Sequence, residues 1–408
     1  MTSMSYLINV SVLRRNRNFA LLFIGQFVSF MGTMMTGVAL PYQIYTQTHS
    51  TLMVGLLSLV QLLPLLFTAL VGGVFADRYH RRLLLLISEG VLGVGSILLA
   101  LNARLATPHI WVLFVVSSCM SAFTGLHRPA LDSLVQQIVD KRDLPAVSSL
   151  ASLKGSIGMV AGPAIGGIII ASLGIVATYM TDVISFVISL VALSFITNIP
   201  KPETNKDIST FAALKEGMRY ALSRQELVGT YIIDFVAMIF GMPTALFPAI
   251  ALSFGGAKAL GMLYAAPAIG AVVVSFFSGW AMQVKQHGKA IAIAAGMWGI
   301  SIVLFGLASN FVVAIFFLAS AGGFDAVSGI FRATMWNETI PNQLRGRMAG
   351  IEMISYLSGP RLGDTEAGLV AAAFGVTASI ISGGALCVAA VFVSCYCLPK
   401  FWRYTSNS

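Results

Sequence analysis

Apolar runs longer than about 18 residues recur along the whole chain, and each is long enough to cross a hydrocarbon core of about 30 Å as a helix. Only 10% of the 408 residues are charged and 57% are hydrophobic, with a mean hydropathy of +0.85. A soluble domain carries about 25% charged residues, so a helical membrane bundle comes before any other class. The opening MTSMSYLINVSVLRRNRN is too polar, and places its arginines too late, for a cleavable signal peptide. The first span is therefore expected to stay in the mature protein. Cys119, Cys387, Cys395 and Cys397 fall inside apolar runs and read as packing residues, with no metal or redox role.

Apolar runs between polar breaks predict helices at 19–41, 52–76, 83–101, 110–137, 147–172 and 175–197, then at 226–252, 258–284, 289–308, 311–337, 346–374 and 376–398. Between the two sets, residues 199–225 hold two prolines and a charge cluster, followed by an amphipathic stretch. This divides the chain into a six-helix bundle over 1–198, a linker with a surface helix over 199–225, and a second six-helix bundle over 226–408. The fold class is all-α membrane protein with two pseudo-symmetric six-helix bundles.

Lysine and arginine set the orientation. With both termini cytoplasmic, nineteen of the 25 fall in inside segments, while Arg104 and Lys258 alone fall outside; the other four lie within spans. An odd number of helices would destroy this alternation. Topology also accounts for the net charge of +9, so nucleic-acid binding is not needed to explain it. The halves repeat as well: Gly55 and Gly73 recur 206 residues on as Gly261 and Gly279, and Gly158, Gly162 and Gly167 recur 201 residues on as Gly359, Gly363 and Gly368. Two such repeats predict a central cavity near the bilayer midplane and a rocking motion of one half against the other.

Two motifs carry a mechanism. Between the second and third spans stands GGVFADRYHRR, in which Gly73, Asp77, Arg78, Arg81 and Arg82 resemble the signature loop of the major facilitator superfamily. His80 stands where that family usually has glycine. Physically, Asp77 is placed to face the positive end of a neighbouring helix and the arginines to pair with acids or lipid phosphates, biasing the cytoplasmic gate. The second half has Gln283 in place of Asp77. The fifth span contains GMVAGPAIGG, where Gly158, Gly162, Pro163, Gly166 and Gly167 resemble the glycine-proline motif of proton-coupled exporters. Such glycines give one smooth face for close helix approach, and the proline bends the helix.

The stretches THSTLMVGL, YIIDFVAMIFGMPTALFP, GMLYAAPAIGA, LRGRMAG and SGPRLGDTEAG are similar to the exporter branch that includes siderophore exporters and macrolide efflux proteins. The resemblance runs from about residue 9 to 398. It implies a multi-pass protein of the bacterial inner membrane that exports a small organic molecule, a siderophore or a drug such as a macrolide, in exchange for protons. It further implies no cofactor beyond the proton gradient and function as a monomer in the lipid bilayer. An importer or lipid translocator on the same scaffold, or a membrane receptor that transports nothing, are the rival readings. No nucleotide-binding loop, nucleophile constellation or zinc spacing supports an enzyme.

Ionisable groups at membrane depth cost about 2.5 to 3.5 kcal/mol each at a helix centre and are functional candidates by default. Arg128 and Asp132 are four apart, and Arg361 and Asp364 three apart, so each pair is expected to neutralise itself locally. Asp234 and Asp325 lack an opposite charge within one turn of their own helices and are the leading proton-coupling candidates, with Arg332 seven residues beyond Asp325. Asp364 and Glu366 are the next candidates. Glu89 and Asp182 remain ambiguous, Glu89 being near enough to the cytoplasmic end to meet Arg128 or the basic loop. The residues Gly241, Met242 and Pro243 predict a kink in the seventh span.

Overall fold

A computed structural model of the chain describes residues 10–197, 210–341 and 344–406; the side chains of 73, 74, 76–78, 210–214, 346, 347 and 349 lie outside the described residues. The elements are helical throughout. A short α1 (Ser11–Arg15) precedes α2 (Arg17–Thr48), α3 (Thr51–Arg78), α4 (Arg81–Arg104), α5 (Ile110–Ile138) and α6 (Leu144–Ser194). The amphipathic α7 (Thr210–Ser223) follows, and then α8 (Gln225–Phe240), α9 (Phe247–Ser253), α10 (Ala257–Phe276) and α11 (His287–Leu307). The chain closes with α12 (Phe311–Thr339), α13 (Arg345–Phe374), α14 (Val376–Cys397) and α15 (Pro399–Trp402). Helices are the expected answer, because a chain in lipid must satisfy its backbone hydrogen bonds within each segment.

Among the described residues ten helical stretches are long and apolar enough to cross a membrane. One of them, containing α6, holds two spans: its 51-residue helix bends at Gly174, whose φ of 87° no L side chain adopts cheaply. A further span, α13, has 30 residues but carries Arg361, Asp364 and Glu366, which lower its hydropathy. Twelve spans result. Gly375, with φ 91°, makes the turn between α13 and α14, and it stands 201 residues after Gly174. The same offset that relates the glycine motifs therefore relates the two tight turns.

The chain forms two compact units, Met1–Leu40 with Leu63–Lys206, and Pro41–Leu62 with Asp207–Ser408. In the first unit, Gly158, Gly162 and Gly166 of α6 face α2: a Cβ at Gly158 would lie 2.3 Å from the Phe30 ring, and one at Gly162 would lie 2.5 Å from Met34. In the second unit, Gly359 and Gly363 of α13 face α8 in the same manner, against Met238 and Ile239. Close approach of backbones is what small residues provide between membrane helices. Large apolar side chains such as Leu63, Phe276, Phe316 and Phe392 stay exposed on the helix flanks, as lipid-facing residues must. At the end of the second unit α15 folds back, with Phe401 fully buried against Gly229 and Gly288. Tyr404 and Ser406 then donate to Glu338 at 2.9 and 2.6 Å.

Candidate functional site

Among the described residues, four clusters of polar groups stand out inside the spans, each within one unit. The first sits where α8 meets α12. Arg332, 8% exposed, is in direct ionic contact with Asp234 and lies 3.5 Å from Asp325 on its own helix. Asp234 is also buried, whereas the Asp325 side chain is 42% exposed. One guanidinium thus serves two carboxylates, and Glu352 of α13 lies within its electrostatic reach. The helices are held in register by Trp336, whose Nε1 donates to Thr230 Oγ1 at 2.9 Å and whose ring stacks on Tyr231. The partner that Asp234 lacked on its own turn is supplied across helices.

The second cluster surrounds Asp364 of α13. Its carboxylate accepts from Ser58 Oγ at 2.9 Å, from the backbone N–H of Ala245 at 2.8 Å and from the Thr244 hydroxyl. Thr244 and Ala245 lie in a single 3-10 turn that bridges α8 and α9, where the seventh span breaks after Gly241. The break exposes backbone groups that must find partners. Trp298 Nε1 donates to the Gly241 carbonyl at 2.9 Å, and Asp364 receives the Ala245 N–H within the 3-10 turn that leads into α9. Arg361 turns away from Asp364 and donates to Gln61 Oε1 at 2.7 Å. Thr365 and Thr51 donate to the carbonyls of Gly55 and Gly368, both at 3.2 Å, where a side chain at either glycine would meet backbone. Glu366 is half-buried and makes no hydrogen bond or ion pair among the described residues.

The first unit holds the other two. Asp182, fully buried, accepts from Thr36 Oγ1 at 2.7 Å, Ser96 Oγ at 2.8 Å and Ser185 Oγ at 3.3 Å, so three hydroxyls solvate it in place of water. Glu89, also fully buried, accepts from the Gln26 amide and shares a hydrogen bond with His127 Nε2 at 3.2 Å. Neither Arg128 nor the basic loop is its partner.

One expectation needs correction. Arg128 and Asp132 form no ion pair within 4 Å, and neither do Arg361 and Asp364, although each arginine stays within electrostatic reach of its acid; i,i+3 and i,i+4 spacing permits contact without enforcing it. In the gate motif, Arg81 and Arg82 both reach main-chain carbonyls. Arg81 Nη1 donates to the Ser133 carbonyl at 3.3 Å, and Arg82 donates to the carbonyls of Leu193 and Ser194 at 2.9 and 2.6 Å. Arg82 therefore caps the C-terminal end of α6, where the helix dipole favours a cation. The helix backbone runs through the rest of the motif, but the side chains of Gly73, Asp77 and Arg78 lie outside the described residues. In the second half the corresponding stretch is a 3-10 turn, Ser278–Gln283, and does not extend the preceding helix. In the glycine-proline motif, Gly158 makes room for the Phe30 ring on which Lys154 Nζ rests at 5.7 Å, and Pro163 lies inside the helix.

Comparison with known proteins places this geometry. The enterobactin exporter EntS of Salmonella typhi is 28% identical over 364 residues, covering 89% of this chain and 88% of the relative. EntS of Escherichia coli O81 is 28% identical over 385 residues, covering 94% and 92%. Among solved structures, a POT family transporter in complex with 5-aminolevulinic acid superposes with a TM-score of 0.74 at 15% identity, over 95% of this chain and 97% of that one. A bacterial homologue of the human lysosomal transporter Spinster gives 0.73 at 15% identity, over 96% and 98%. These similarities show the twelve-helix major facilitator fold. With the match to the family running over residues 10–406, the chain belongs to the transmembrane secretion effectors of the major facilitator superfamily.

Proposed function

We propose that this protein is a proton-driven exporter of a bulky, partly polar organic molecule, with a siderophore of the enterobactin kind ahead of a macrolide. The observation that carries the export reading is the similarity to enterobactin exporters over nine-tenths of the chain, with 28% identity and no large unmatched segment on either side. It works as a monomer in the bacterial inner membrane with both termini cytoplasmic, draws on the proton gradient and needs no cofactor.

Proton coupling is assigned to the Asp234–Arg332–Asp325 cluster. Three charges in one low-dielectric place carry a net negative charge when both acids are ionised, which is costly. A proton taken by Asp234 releases Arg332 toward Asp325, so the guanidinium changes partner without leaving its helix. A conformational change that alters solvation at Asp325 then biases which acid holds the arginine. Asp364 and Glu366 are the fallback carriers, and the gate motif biases the cytoplasmic side. In proteoliposomes loaded with enterobactin and given a pH gradient, Asp234→Asn is expected to abolish uphill export while leaving downhill exchange measurable. Uphill export by the asparagine variants of both Asp234 and Asp325 would move the coupling site to Asp364 or Glu366. Should the wild type move no protons on addition of substrate, the importer or lipid-translocator reading takes over.

A further inference from the structure

The two buried acids of the first unit differ in one respect that matters chemically. Asp182 has both carboxylate oxygens engaged, by Thr36, Ser96 and Ser185. Glu89 does not: Oε1 takes the bonds from Gln26 and His127, and Oε2 is buried with no partner. An ionised carboxylate with one bare oxygen in a dry helix bundle is an expensive arrangement, and such a group is normally neutralised or completed by a ligand.

The surroundings say which ligand. Glu89 projects from α4 toward Gln26 of α2, His127 of α5 and Ser189 of α6, to which the Gln26 amide also donates at 3.4 Å. The charged groups within reach are Lys154 of α6 and, on α5, His127, Arg128 and Asp132, with Asp132 feeling both Arg128 and His127. Glu89 is sealed at 0% exposure, the His127 side chain is 18% exposed, and Arg128 and Asp132 are exposed on the same helix. A graded series of protonatable groups therefore runs from an open acid through an imidazole to a closed carboxylate.

We infer that Glu89 is a second proton-binding site, loaded through His127. In the step, a proton from water at the open side binds the imidazole, and the imidazole passes a proton from Nε2 to the Glu89 carboxylate. Uptake forms an N–H bond at Nδ1, transfer breaks the Nε2–H bond and forms one O–H bond on Glu89, and the neutral imidazole must tautomerise before it can relay a further proton. His127 is a positioning and relay residue, and Glu89 is the group that holds the proton. The use of this proton in transport rests on the exporter reading above, but its binding does not.

The test reads binding alone. Purified full-length protein in proteoliposomes, with no substrate and no gradient, is followed by infrared difference spectroscopy after a pH jump, the proton itself being the probe. The wild type is expected to show a protonated-carboxyl C=O band that Glu89→Gln removes. His127→Asn is expected to keep the band and to slow its rise by about tenfold or more, since a positioned acid-base group accelerates proton transfer by at least that much. Glu89→Asp, should the glutamine variant fail to fold, is expected to shift the band frequency without abolishing it. A band that survives Glu89→Gln unchanged, or one that rises as fast without His127, overturns the inference. Loss of uphill export in Asp234→Asn with this band intact bears only on the coupling assigned to the second unit.

Discussion

At the residue scale the interior distinguishes acids that are solvated by hydroxyls, acids that share an arginine and an acid left partly bare. This distinction depends on small residues as much as on the acids. Gly32 on α2 faces Asp182: a Cβ there would lie 2.4 Å from Asp182 Oδ1 and 2.2 Å from Ser185 Oγ, while a Cβ at Gly37 would meet nothing within 4 Å. Gly32→Ala must push the Ser185 hydroxyl and the Asp182 carboxylate apart from where they sit. It is expected to cost about 1–3 kcal/mol, as overpacking usually does, and to lower the melting temperature of the purified protein. Gly37→Ala, five residues along the same helix, serves as the control and is expected to stay within about 0.5 kcal/mol of wild type. Equal effects of the two substitutions would mean that helix propensity, not the Asp182 contact, sets the response. Sequence pointed to the acids but not to their partners: Asp182 and Ser96 are 86 residues apart, and Glu89 and His127 are 38 apart.

Among the elements, the seventh span shows how a break is made tolerable at membrane depth. Gly241, Met242 and Pro243 announced it, and α8 ends at Phe240 with α9 resuming at Phe247. What they could not announce is who satisfies the loosened backbone. Trp298, from α11, holds the Gly241 carbonyl, and Asp364, from α13, holds the N–H of Ala245. Trp298→Phe keeps the apolar bulk and strands that carbonyl, so a loss of about 1–3 kcal/mol in thermal denaturation is expected. Asp364→Ala strands one backbone donor and two hydroxyls, and is expected to lower the melting temperature more than Ser58→Ala, which removes one of the three donors. A larger loss from Ser58→Ala would show that the hydroxyl serves packing instead of the carboxylate. The proline in the first half and the acid in the second are related by the 201-residue offset, Pro163 and Asp364. The repeat thus keeps Gly158 and Gly162 as Gly359 and Gly363 while putting an acid where the first half has Pro163.

For the whole molecule the decisive quantity is topology, because every argument about depth assumes it. The basic asymmetry predicts that cysteines placed at His49 and Lys258, in a background without the native cysteines, react with an impermeant reagent from outside. Cysteines at His80 and Asn205 are expected to react only after access to the cytoplasmic face is given. External labelling of position 205 would overturn the orientation. All twelve spans were read as apolar runs between polar breaks, the more polar α13 at 346–374 among them. The division of α6 was predicted as well, one span ending at 172 and the next beginning at 175, and the structure bends the helix at Gly174.

By itself, then, the sequence determined the number of helices, their class, the break in the seventh and the repeat, since hydropathy, proline and glycine act through the chain's own local geometry. It also marked the acids, because an ionisable residue in an apolar run is conspicuous wherever it ends up. Only the tertiary structure decided which of them is paired, which is solvated by hydroxyls and which has an oxygen to spare. Arg332 does reach Asp325 seven residues before it, at 3.5 Å, yet its closer contact is with Asp234 on another helix. Arg361 could have joined Asp364, yet it reaches Gln61, 300 residues away. The reason is physical: i,i+4 spacing brings two side chains near one another, but in a low-dielectric interior the pairing is set by whichever neighbouring helix supplies a donor at hydrogen-bond distance. That neighbour is fixed by packing, which no local pattern encodes.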